Sequence, residues 1–151
     1  MVTFHKISTA LFAAVLLAGC ADSPVALTAE QRLLAAVSGT YQLQSLKGQS
    51  LPAYMAQSEL TKIYIASESL NMNTDGTFTG ERHYRMVHND GTVTTPYDSM
   101  HGRFLASTDG TTITVTFQVS NLSTADMTGT VVGNQLTLTY ANGFGPWVYA
   151  R

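Results

Sequence analysis

Residues 113–119 read ITVTFQV and residues 135–140 read QLTLTY. Both stretches alternate with a period of two. Ile113, Val115 and Phe117 fall on one side of the first, Leu136, Leu138 and Tyr140 on one side of the second, with Thr between them. Side chains on a strand point alternately to the two faces, so this pattern describes a strand with one buried and one wet face. Thr suits the wet face because its branched Cβ favours extended backbone.

The same pattern runs outward in both directions. Towards the C-terminus, Gly133-Asn134 turns ADMTGTVV into QLTLTY, and ANG at 141–143 leads to a closing strand, PWVYA. Towards the N-terminus, Asp-Gly pairs at 75–76, 90–91 and 109–110 end one strand and begin the next. These residues accept positive φ at tight turns. TYQLQSL opens the series, and TKIYIA and SLNMN flank a bulge or break near Ser67–Glu68. TFTGERHYRMVH follows, and Pro96 interrupts TVTTPYDSMHGRFLAS or holds it to an edge. The count is eight or nine strands. No long apolar helix separates them, which argues against parallel βαβ units. An all-β antiparallel up-and-down meander remains, and closing it into an eight- to nine-stranded barrel removes its two unpaired edges.

One helix precedes the strands. In TAEQRLLAAVSG, Thr28 is an N-cap with Gln31 three places on, a capping box. Leu33, Leu34 and Val37 share a face, and Gly39 can end the turn. A short helix over about 29–37 is expected, serving as a docking lid.

The 151 residues suit one domain. Charged residues make up only 12% of the chain and the net charge is −2 with no basic run, which argues against nucleic acid as a partner. A single Cys excludes an internal disulfide and a Cys-based zinc site.

That Cys lies at the end of a leader. Lys6 and the amino terminus are positive, and ISTALFAAVLLA at 7–18 is an apolar run too short to span a bilayer, which takes about 20 residues. It has the length of a signal-peptide core. The stretch LAGC, Leu17 to Cys20, resembles the lipobox of bacterial lipoproteins. That resemblance implies that residues 1–19 are removed and that Cys20 is lipidated and then acylated on its amine. The alternatives are a plain secretory signal with a free Cys, or a transmembrane anchor. Ala21 rather than Asp follows Cys20, which by the sorting behaviour of enteric lipoproteins favours the outer membrane over the inner. Residues 20–28 then form a tether, and 29–151 the domain.

The strand series adds a second resemblance. Gly39-Thr40-Tyr41 is similar to the Gly-x-Trp opening of lipocalins, with Tyr41 in place of Trp. The runs GTYQLQSLKGQSLP, LNMNTDGTFTG, GRFLASTDGTTITV and GNQLTLTY…WVYAR look like the lipocalin-like lipoproteins of environmental bacteria. The resemblance implies a calyx-type barrel on a lipid tether. Arg151 is the possible counterpart of the arginine that packs over the lipocalin Trp.

The candidate ligand-binding residues are Tyr41, Phe78, Arg82, Tyr84, Met86, Met100, Phe104 and Phe117. On TFTGERHYRMVH the even positions are the more apolar, so Phe78, Arg82, Tyr84 and Met86 are expected to point inward. Arg82 could neutralise an acidic head group, sit at the barrel mouth, or pair with an internal carboxylate. The aromatic and Met side chains either fill the barrel or line a cavity. His83 and His88 have opposite parity and do not converge on a metal. Glu68, Glu81 and Asp98 are read as solvent and turn carboxylates. No Gly-x-Ser-x-Gly, phosphate-binding Gly loop or His-Glu-x-x-His is present, and no enzyme or cofactor is indicated. Two functions remain open. One is a tethered barrel binding a small apolar or amphipathic ligand. The other is a structural or interaction protein of the envelope with a side-chain-filled barrel.

Overall fold

The computed structural model describes residues 26–110, 112–120, 127–140 and 144–151. Helix α1 covers Ala29–Val37. Its capping box is formed: the Gln31 amide donates to Thr28 Oγ1 (3.1 Å) and the Thr28 amide to Gln31 Oε1 (2.8 Å). The helix ends at Ser38, which is extended, so Gly39 opens the first strand rather than closing the helix.

Eleven strand segments follow: β1 (Gly39–Leu46), β2 (Gln49–Ser50), β3 (Ala53–Gln57), β4 (Thr61–Met72), β5 (Thr77–His88), β6 (Val93–Thr94), β7 (Tyr97–Thr108), β8 (Ile113–Val119), β9 (Met127–Val132), β10 (Gln135–Tyr140) and β11 (Trp147–Ala150). All pairings are antiparallel. Eight of the strands close into a barrel in the order β1, β11, β10, β9, β8, β7, β5, β4 and back to β1. Closure rests on the pairing of Gly39–Gln42 with Ser69–Met72.

The alternation that suggested the fold holds. Val115, Phe117, Leu136 and Leu138 are buried, and Ile113 and Tyr140 pack against the same core. Thr114, Thr128 and Thr130 face solvent. Where the pattern breaks, a bulge is responsible. A shift between Leu43 and Ser45 lets β1 present Tyr41, Leu43 and Leu46 to the interior. A shift between Ile65 and Ser67 does the same for β4, which is one continuous strand rather than two. A bulge adds a residue and reverses parity beyond it. Ile65 points in before the bulge, and Glu68, Leu70 and Met72 point in after it. Glu68 is therefore only 2% exposed, not the solvent carboxylate that strict alternation and its charge suggest.

β4 also changes partner at the bulge. Its second half pairs with β1 inside the barrel, and its first half pairs with β3. β5 likewise pairs with β6 near its end. The β3–β4–β5–β6 segment thus rises above the barrel as a wall beside its mouth. The opposite end is closed by α1. Val37 is fully buried, and Tyr41 donates its hydroxyl to the Val37 carbonyl (2.8 Å). Arg151 lies over the Tyr41 ring at 5.3 Å and donates to the carbonyls of Ala36 and Ser38.

Gly129 on β9 marks a close approach. A Cβ there would lie 2.1 Å from the Thr137 carbonyl oxygen of β10, and main chain cannot yield as a flexible side chain can. Gly129→Ala is expected to lower the unfolding free energy by about 1–3 kcal/mol, seen as a lower urea midpoint at unchanged slope. An equally stable variant would contradict the register of β9 on β10.

Candidate functional site

The interior is stacked in layers. Near α1, Phe78 meets Phe117 edge-on at 4.9 Å, and Phe104 lies 5.8 Å from Phe117. Each of these rings is at most 1% exposed. Tyr41 and Met100 are buried in the same core. Five of the eight residues read as ligand-binding, Tyr41, Phe78, Met100, Phe104 and Phe117, therefore fill the barrel body.

Above them sits a polar layer. Arg82 of β5 stands opposite Glu68 of β4 in the register of the two strands. Its Nε donates to Glu68 Oε2 at 2.5 Å, and its Nη2 donates to the Tyr140 hydroxyl at 2.8 Å. Tyr149 donates its hydroxyl to Glu68 Oε1 at 2.8 Å. The guanidinium also lies 4.5 Å from the Trp147 ring. Both carboxylate oxygens and two guanidinium nitrogens are thus engaged. A buried charge needs a partner plus further hydrogen bonds, and this layer supplies both. Of the three roles read for Arg82, pairing with an internal carboxylate is the one the geometry displays. The indole N–H of Trp147 is buried without an acceptor among the described residues.

The electrostatics follow from burial. Burial alone would lower the Arg82 pKa, but Glu68 beside it more than compensates, so the guanidinium is held charged. Burial raises the Tyr149 hydroxyl well above its usual range, and the neighbouring Glu68 charge raises it further. Burial raises Tyr140 as well, with Arg82 opposing. The layer holds one fixed ion pair, with the Tyr149 phenol donating into its carboxylate.

The remaining two candidates, Tyr84 and Met86, lie higher, where the wall leaves the barrel. They line a groove of about 260 Å³ with Met55, Ile63, Pro96 and Asp98. Tyr84 donates its hydroxyl to Asp98 Oδ2 at 2.7 Å, and burial followed by this bond raises its pKa. Met55, Ile63 and Asp98 escape a sequence reading, because their convergence depends on the β4 partner switch. Across the mouth, Phe144 packs on Tyr140 and Trp147, and Lys47 lies 3.8 Å over its ring. The His residues do not converge. His83 pairs with Glu81 at 2.5 Å on the outer wall, whereas His88 bonds Thr61 and Thr94 at the rim. Among the described residues no cluster of three or more His, Cys, Asp or Glu could hold a metal, and no helix is long and apolar enough to cross a membrane. Cys20 lies outside the described residues.

The raised Tyr149 pKa has a signed consequence. The folded state holds this proton more tightly than the unfolded chain, whose tyrosine titrates near pH 10. Stability from this group is complete below about pH 10 and falls as pH rises further. Urea midpoints measured from pH 9 to 12 should therefore drop more steeply for the parent than for Tyr149→Phe. Parallel profiles would contradict the buried Tyr149–Glu68 contact. Comparison of the chain with protein-family models, curated proteins and solved structures gives no match.

Proposed function

We propose that this chain is a lipoprotein of the bacterial envelope, anchored through Cys20, whose barrel takes a small apolar or amphipathic ligand at its mouth. The observation that carries this reading is the groove of about 260 Å³ between Met55, Ile63, Tyr84 and Met86, set above a sealed polar layer. Small-molecule sites are concave, mostly apolar and furnished with a few polar groups. This groove has that character and lies slightly below the usual volume range, which suits a small ligand or one end of a longer one.

Two further points support the reading. The positive n-region, short apolar core and LAGC box of the leader are those of a lipidated chain. The stacking of Arg151 on Tyr41 beside α1 is the contact that the lipocalin-like resemblance implies. Gly39 fits the same contact: its φ is +142°, and a Cβ there would lie 2.9 Å from Arg151 Cδ. The outer membrane is the favoured location, from Ala21 after the lipobox.

The second reading, a structural or interaction protein of the envelope, is favoured by one specific observation. The barrel body is filled by Trp147, Tyr41, Tyr149, Phe78, Phe104 and Phe117. Native mass spectrometry of the chain recovered from cells separates the two. The ligand reading expects a bound small molecule on the parent and its loss in Met86→Arg, with the β-sheet circular dichroism unchanged. A parent free of adducts that also fails to bind the apolar probe N-phenyl-1-naphthylamine would overturn it in favour of the second. For the anchor, labelled palmitate should enter the parent and not Cys20→Ser. Equal labelling would remove Cys20 from the account.

A further inference from the structure

Resting on that mouth groove, we infer that its ligand carries a cationic head group: an amine or quaternary ammonium on a short apolar body. Below the groove, Arg82 is neutralised by Glu68, which it contacts through Nε, and Tyr149 and Tyr140 occupy the outer sides of that pair. The pair is therefore a neutral floor rather than a receptor for an anion. On the strand faces above it, Lys62 and Arg85 alternate away from Ile63, Tyr84 and Met86, and Arg85 is instead 5.9 Å from the Tyr64 ring.

The charge that remains in the groove is the Asp98 carboxylate. Asp98 is solvent-exposed and accepts one hydrogen bond, from Tyr84. Arg82 stands opposite Asp98 in the β5–β7 register and its charge acts on Tyr84, but its ion pair is with Glu68; the only other ion pair among the described residues is His83–Glu81, so one negative charge is left over at Asp98. A carboxylate at the edge of an apolar surface attracts a cation and repels an anion. Met55, Ile63, Met86 and Pro96, which share the groove with it, offer an apolar surface to the body of such a ligand. The Tyr84 ring in the same wall adds the attraction of an aromatic system for ammonium groups. The Tyr84–Asp98 bond fixes the carboxylate, so little reorganisation is needed on binding.

The test is calorimetric titration of the full chain carrying Cys20→Ser, which blocks acylation and keeps detergent out of the assay. The probes are octyltrimethylammonium, 1-octanol and octanoate. At pH 7 the expected order is ammonium, then alcohol, then carboxylate, with the first at least about tenfold tighter than the last. Asp98→Asn keeps an acceptor for the Tyr84 hydroxyl while removing the charge. It should abolish the ammonium preference, so that the ammonium binds no more tightly than octanol. Octanoate binding as tightly as the ammonium, or a preference that survives Asp98→Asn, would overturn the inference while leaving the groove intact. Failure of all three probes to bind, or binding indifferent to Met86→Arg, would overturn the groove reading and this inference with it.

Discussion

The bulge between Ile65 and Ser67 is the constraint on which the interior depends. Without it, β4 would keep one parity along its length, and Ser69 and Asn71 would point inward in place of Glu68, Leu70 and Met72. With it, a carboxylate is buried inside the barrel and must be matched. Arg82, directly across on β5, supplies the charge, and Tyr149 on β11 and Tyr140 on β10 supply the remaining hydrogen bonds. Four strands are thereby tied together through side chains at one level of the barrel. Both oxygens of the buried carboxylate have donors, and its charge is matched by Arg82, which separates a tolerable buried network from a damaging one.

That layer divides the molecule into two parts of different use. Beneath it, aromatic rings and α1 fill and cap the barrel, and there Arg151 and Tyr41 connect the end of the chain to its first strand. Above it, β4 and β5 outrun the barrel, and β3 and β6 widen the wall they make. A twelve-residue strand paired to β1 along only four residues must find another partner for the rest. β3 is that partner, and Met55 arrives at the groove with it. The open surface is thus a geometric by-product of closing a barrel with strands longer than it needs.

The sequence made much of this legible. Alternation at 113–117 and 136–140 identifies the inward face, and the Asp-Gly turns set the meander order. The Thr28–Gln31 capping box locates α1 to the residue. Parity on β5 correctly directs Phe78 and Arg82 inward and raises the pairing of Arg82 with a carboxylate as one of its three roles. What escaped was everything downstream of a one-residue insertion. A break near Ser67–Glu68 can be read from TKIYIASESLNM, but whether it ends a strand or bulges it cannot. The inward turn of Glu68, and the meeting of Met55 and Ile63 with Asp98, hang on that difference. Alternation reports a face only while the register is unbroken.

The most direct measurement is a double-mutant cycle on the buried pair, using Glu68→Leu, Arg82→Met and the two together. If each charge is held by the other, either single variant should lose about 3–5 kcal/mol of stability, because it strands a buried charge. The double variant should then lose much less than the sum, giving a large coupling energy. Additive losses, or single variants as stable as the parent, would mean that the two side chains do not meet inside the barrel, and the account of its interior would fail.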